Sequence, residues 1–176
     1  MKNVAVFLSA SDLEEKYTKP AEQLGRLLAE NNIGFVYGGS DKGLMKVMAS
    51  SVQNAGGIVI GVTMELLKDS RKMDADEMII AHDLPERKKI MNDRSDAVIV
   101  MVGGIGTLDE ATELLELKKH AVHNKPIIFL NTDNFYEGLK IQLKKMEAEG
   151  FLPKKLDEIV LFVDTPEEII KHLNSF

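Results

Sequence analysis

The sequence predicts an α/β fold in three layers, a parallel sheet of about seven strands covered by helices on both faces. Three observations predict it. Short, continuously apolar runs alternate with amphipathic helical patterns along the whole length. Glycine-rich turns close two of those runs. The 176 residues are 44% apolar and 28% charged, the balance of a globular chain with a full core. No repeat, low-complexity tract or linker interrupts the alternation, so residues 1–176 read as a single domain.

Each element has its own signal. Val4 to Leu8 is wholly apolar, as a strand buried on both faces requires. The polar Ser9-Ala10-Ser11-Asp12 supplies a loop and a helix cap, and Tyr17, Ala21, Leu24, Leu27 and Leu28 then recur at helical spacing up to Asn31-Asn32. Ile33 and Phe35-Val36-Tyr37 form the second strand, which runs into Gly38-Gly39-Ser40-Asp41-Lys42-Gly43. Leu44, Val47, Met48, Ser51 and Val52 mark the next helix, stopped at Asn54-Ala55-Gly56-Gly57, and Ile58 to Val62 is the third strand. Thr63 to Asp76 has no clear period and is predicted to be a mobile loop with one helical turn. Glu77 to Ala81 is the fourth strand, and Pro85 suits the first turn of the basic helix that carries Arg87-Lys88-Lys89. Ala97 to Met101 is the fifth strand, followed by Val102 to Glu110 and a helix to about His120. Pro126 to Leu130 is the sixth; Phe135, Leu139, Leu143 and Met146 give the next helix face. Ile159 to Val163 is the seventh, and Thr165-Pro166-Glu167-Glu168 opens the last helix with a capping box and proline at its first position.

Strands and helices that alternate in this way build a doubly wound, Rossmann-like sheet, which binds ligands beyond the carboxyl ends of its strands. Both glycine loops, after strands two and five, fall there. The formal net charge of −6 argues against coating a nucleic-acid backbone, but not against one small phosphate ligand. The absence of cysteine excludes disulfides and thiolate metal sites, and the four histidines show no metal spacing, so no metal is expected. The nine methionines read as core filler. No apolar run approaches the roughly 18 residues of a spanning helix and no signal peptide is evident, so no membrane association and a cytoplasmic setting are expected.

Gly103-Gly104-Ile105-Gly106-Thr107 joins a strand to a helix start, where backbone N–H groups and the positive helix end favour an anion. It is neither the dinucleotide fingerprint nor a P-loop. The same residues can equally be a tight turn in which Thr107 and Glu110 form a capping box, and the two readings are compatible. The loop at Gly38 is a weaker signal, and the Arg87-Lys88-Lys89 run by itself reads as a solvated helix face.

Taken together these stretches resemble the LONELY GUY family of cytokinin-activating phosphoribohydrolases, long mislabelled as lysine decarboxylases. The family's P-G-G-x-G-T-x-x-E motif stands at Val102 through Glu110, and its R-K motif within Glu86-Arg87-Lys88-Lys89-Ile90-Met91. The Y-G-G-G-x-x-G-L-M loop stands at Tyr37 through Met45, with further similar segments at His123–Pro126 and Asn131–Tyr136. The resemblance implies hydrolysis of the N-glycosidic bond of a purine nucleoside 5′-monophosphate, without a cofactor and in a homodimer to which the helix after Pro85 contributes. It implies Arg87 and Glu110 as the catalytic pair. It implies substrate contacts from Gly39, Ser40, Lys88, Met91, Gly103, Gly104, Gly106, Thr107 and Glu113. Val102 replaces the motif's proline and Ser40 a glycine, the small turn after strand one reads Leu8-Ser9-Ala10-Ser11, and Glu116 replaces a threonine. Glu116 would bring negative charge to a phosphorylated ligand if it faced inward. The alternative is a non-catalytic carrier of a nucleotide or molybdopterin-type cofactor on the same scaffold. Lysine decarboxylation is the least expected reading, because no pyridoxal-phosphate lysine motif is visible.

Overall fold

The computed structural model describes residues 3–175, apart from the side chain of Lys68. Seven strands form one sheet in the order β4-β3-β2-β1-β5-β6-β7, and every adjacent pair is parallel. The strands are β1 (Asn3–Phe7), β2 (Gly34–Tyr37), β3 (Val59–Met64), β4 (Glu77–Ala81), β5 (Ala97–Val100), β6 (Ile127–Leu130) and β7 (Leu161–Val163). Central β1 shows why its run is wholly apolar. Val4 and Val6 face one core, Ala5 and Phe7 the other, and all four are 0–2% exposed.

The helices are α1 (Glu15–Glu30), α2 (Gly43–Asn54), α3 (Leu84–Asp93), α4 (Ile105–Lys119), α5 (Glu137–Ala148), α6 (Leu156–Ile159) and α7 (Pro166–Leu173). The first core takes Leu24 and Leu28 of α1, Met48 and Val52 of α2 and Ile169 of α7. The second takes Met91 of α3, Leu114 of α4 and Ile159 of α6. The predicted three-layer, doubly wound architecture is the one observed.

The departures are local. β3 runs two residues further than its pattern suggests, because Thr63 and Met64 pair with Ile80 and Ala81 of β4. A 3-10 stretch, Glu65–Ser70, follows, and residues 70–72 then form a strap over the β2 loop instead of a free loop. The strap is held by Lys72 N–H on the Gly39 carbonyl (2.9 Å), Asp41 N–H on the Ser70 carbonyl (2.7 Å) and a Ser40–Arg71 bridge. Lys72 itself is buried between Asp74 (3.0 Å) and Asp41 (3.7 Å). β4 lies at the sheet edge and leaves Ile80 49% exposed. Ile159 ends α6 rather than opening β7; its side chain turns into the second core. Phe135 precedes α5, after the 3-10 turn Thr132–Asn134. Among the described residues, no helix is long and apolar enough to cross a membrane.

Candidate active site

The strand order reverses direction around β1, whose neighbours are β2 and β5. A crevice opens at such a point beyond the carboxyl ends of the strands. The residues singled out from the sequence converge there on three elements: the loop after β2, helix α3 and the start of α4.

Helix α3 is built to present Arg87. Asp83 caps it by accepting the Glu86 N–H at 2.8 Å, the Glu86 carboxylate accepts the His82 N–H at 2.6 Å, and Pro85 sits in the first turn. Arg87 is only 7% exposed. Its Nε donates to the Val62 carbonyl of β3 at 2.9 Å, and its Nη1 donates to Glu110 Oε1 of α4 at 2.6 Å. The guanidinium crosses directly over Gly38, where a Cβ would stand 2.3 Å from Nη2. Gly38 is therefore a glycine because any side chain would occupy the place of Arg87. Neither this approach nor the Val62 carbonyl could be read from the sequence, since the residues are 25 to 49 positions apart.

Glu110 is 8% exposed, and the ion pair to Arg87 is the sole hydrogen-bonded contact of its side chain among the described residues. Burial pushes its carboxyl pKa up, while the adjacent Arg87 charge and hydrogen bond pull it back and leave a net rise. The pair thus holds a desolvated, polarised carboxylate with one oxygen, Oε2, uncommitted.

The start of α4 differs from its sequence reading. The helix begins at Ile105 with Gly104 at the N-cap, and no side chain caps it. Thr107 and Glu110 therefore form no capping box. Thr107 lies inside the first turn, 5% exposed, with its hydroxyl against Gly103, where a Cβ would stand 2.1 Å from Oγ1. The first bond of the helix is Leu108 N–H to the Gly104 carbonyl at 3.1 Å, so the N–H groups of Ile105, Gly106 and Thr107 have no partner within the helix. Ile105 belongs with the predicted glycines as a donor, since its backbone and not its side chain is what counts. A Cβ built on Gly104 or Gly106 meets nothing within 4 Å. The packing does not require glycine at either position.

The other predicted residues fall into place unequally. Lys88 bridges to Asp109 (3.1 Å) and to Glu113, tying α3 to α4 beside the Arg87–Glu110 pair. Met91 has no exposed surface and packs in the second core one turn beyond Arg87. Gly39 adopts φ +75°, and its carbonyl and Ser40 are engaged by the strap. The N-terminus of α2 is closed from within, because Leu44 and Met45 donate to the carbonyls of Ser11 (3.2 Å) and Ser9 (3.1 Å). Only one of the two glycine loops offers a free helix end. Glu116 is turned outward and paired with Lys119 and His120, so it brings no charge to the crevice. Among the described residues no three histidine, aspartate or glutamate side chains gather as a metal site.

A parallel sheet with an open helix N-terminus and a buried Arg–Glu pair at its switch point defines an α/β protein of the doubly wound class. Comparison with known proteins narrows this. The family model described as "possible lysine decarboxylase" matches residues 45–173. A probable cytokinin riboside 5′-monophosphate phosphoribohydrolase of Oryza sativa subsp. japonica is 34% identical over 178 residues, covering 99% of this chain and 73% of that protein. A cytokinin riboside 5′-monophosphate phosphoribohydrolase of Rhodococcoides fascians is 34% identical over 155 residues, 86% of this chain and 78% of that protein. Among solved structures, the molybdenum cofactor binding protein of Rippkaea orientalis superposes with a TM-score of 0.77 at 25% identity, covering 98% of this chain and 95% of that one. The chain belongs to the "possible lysine decarboxylase" family, which is the LONELY GUY family.

Proposed function

We propose that the chain hydrolyses the N-glycosidic bond of purine nucleoside 5′-monophosphates, AMP or its N6-substituted cytokinin-type analogues, to free base and ribose 5-phosphate. The observation that carries this reading is the buried Arg87–Glu110 pair standing one turn inside a helix whose first N–H groups are open. Relatives at about a third identity that bear the name of this activity support it.

The phosphate sits on the N–H groups of Ile105, Gly106 and Thr107 and on the Thr107 hydroxyl, in the positive field of α4. That anchoring holds the anomeric carbon near Glu110. As the bond from C1′ to the base nitrogen breaks, its electron pair leaves with the base and positive charge grows on the ribose. The Glu110 carboxylate stabilises that charge and takes a proton from the water whose oxygen bonds to C1′. The departing base nitrogen takes up a proton from solvent and Glu110 gives its own back, so the products are neutral base and ribose 5-phosphate. A carboxyl pKa lifted by burial makes Glu110 a better proton acceptor near neutral pH than an exposed glutamate. Arg87 keeps the carboxylate ionised and aimed. Lys88 keeps α3 and α4 in register while offsetting Asp109 and Glu113.

A carrier of a nucleotide or molybdopterin-type cofactor is the second reading, supported by the Rippkaea orientalis neighbour. Incubation with a panel of nucleoside 5′-monophosphates and measurement of released base separates the two. Release of adenine from AMP supports hydrolysis; tight binding with no base released supports carriage.

A further inference from the structure

We infer that Tyr136 is a positioning residue for the phosphate cradle: its hydroxyl donates to the Met101 carbonyl at 2.7 Å and so sets where the glycine loop leaves the sheet. The inference rests on the reading proposed above, and it concerns a residue that touches no substrate.

The glycine loop cannot hold its own direction. Gly103 and Gly104 follow each other where β5 has ended, and glycine pairs lose the most conformational freedom on ordering. Three hydrogen bonds fasten the chain just upstream. Met101 N–H donates to the Phe7 carbonyl (2.9 Å), Ser9 N–H donates to the Val102 carbonyl (3.1 Å), and the third is the Tyr136 bond. The first two come from the β1 side; Tyr136 approaches from the chain beyond β6. The Met101 carbonyl lies four residues before Ile105, the first open donor of α4.

Tyr136 is itself rigidly held. It is 5% exposed, with its ring edge-to-face against Phe129 and Phe135, each 4.9 Å between centroids. Its backbone N–H donates to Asn131 Oδ1 at 2.7 Å, and Asn131, 3% exposed, donates its own N–H to the Val163 carbonyl of β7 at 2.8 Å. Burial pushes the phenol well above the ordinary tyrosine range, so the hydroxyl remains a donor at any physiological pH. A chain of contacts therefore runs from β7 through Asn131 and Tyr136 to the exit of β5, tying the far half of the sheet to the cradle.

Tyr136→Phe keeps the ring and removes this bond alone. The Tyr136 bond steadies a grip on the phosphate that ground and transition states share, while the Glu110 carboxylate stays fixed by Arg87, so loss of the bond raises KM far more than it lowers kcat. The variant is compared with the parent by adenine release from AMP and by amide hydrogen exchange. The expected KM rise is about five- to tenfold, with kcat within about twofold, as suits one hydrogen bond to a buried carbonyl. Exchange at the Ser9, Met101 and Leu108 amides quickens about tenfold, while the Phe35 amide of β2 is unchanged. Unchanged exchange at those three amides overturns the inference, as does an unchanged KM in an active parent. A parent that releases no adenine defeats the hydrolase reading instead, and the exchange pattern then decides the role of Tyr136 by itself.

Discussion

Replacing Glu110 by glutamine tests the centre of the site most directly. The side chain keeps its length, and its amide oxygen can still accept from Arg87 Nη1, now at 2.6 Å from the carboxylate. What disappears is the charge. Arg87 and Glu110 are 7% and 8% exposed, so solvent screens the pair little. Breaking a buried ion pair commonly costs 3–5 kcal/mol, but the raised Glu110 pKa means that burying this charge costs the folded chain more than Arg87 returns, so a neutral amide that keeps the hydrogen bond leaves stability within about 1 kcal/mol of the parent. At about 2–4 °C per kcal/mol for a chain of this size, the melting temperature stays within about 4 °C of the parent. Catalysis loses more. Removing a positioned proton acceptor lowers kcat by about 10²–10⁴-fold. The assay is adenine release from AMP, run well below the melting temperature of the variant, beside a thermal melt with and without inorganic phosphate. The phosphate-induced rise in melting temperature persists, because the cradle N–H groups are untouched. A variant that keeps kcat within about tenfold of the parent refutes the catalytic assignment. A melting temperature more than about 4 °C below the parent refutes the energetic reasoning about the buried pair.

The remaining expectations use the same assays. Ionised Glu110 is the active form and its pKa is raised, so the acid limb of kcat/KM against pH lies above the ordinary glutamate value of 4.5; a limb below that value contradicts the assignment. The sign for stability follows from proton binding: the folded chain binds the Glu110 proton more tightly than the unfolded chain. Its contribution is thus present below 4.5 and declines as pH rises through the folded pKa, a slope that Glu110→Gln abolishes in pH-dependent melts. Lys88→Met removes a charge that lowers the Glu110 pKa and leaves Asp109, which raises it, so the acid limb moves upward, as it does more strongly in Arg87→Ala. Gly38→Ala places a methyl group 2.3 Å from Arg87 Nη2 and lowers kcat by about 10²-fold through misplacement of the pair. Gly104→Ala meets no neighbour within 4 Å, so its melting temperature stays within about 1 °C of the parent while KM for AMP rises.

Local chemistry made much of this chain legible. A strand buried on both faces must be apolar at every position, and β1, β2, β3, β5 and β6 announce themselves in that way. Pro85, like Thr165, Pro166 and Glu168, marks a helix start because the signal is satisfied within the first turn. The weaker predictions fell where tertiary packing overrides pattern. Ile159 leaves its strand to fill the second core; Thr63 and Met64 are ordered by pairing with β4, and residues 70–72 by pairing with the loop at Gly39.

For the site, the sequence alone singled out Arg87, Glu110 and the glycines at 103, 104 and 106, the glycine loop by its place between a strand and a helix and the Arg87–Glu110 pairing by the family resemblance. It also determined that they lie at the carboxyl ends of parallel strands. Only the tertiary structure decided how they are placed. It placed the Arg87 guanidinium over Gly38 and on the Val62 carbonyl, shifted the start of α4 to Ile105 so that Thr107 caps nothing, turned Glu116 outward, and set the Tyr136 hydroxyl on Met101. Each of these joins groups from elements remote along the chain or depends on where a helix begins in three dimensions. A one-dimensional pattern encodes a residue's own conformational preference and burial, whereas which distant atom stands across from it follows from the order in which the strands assemble.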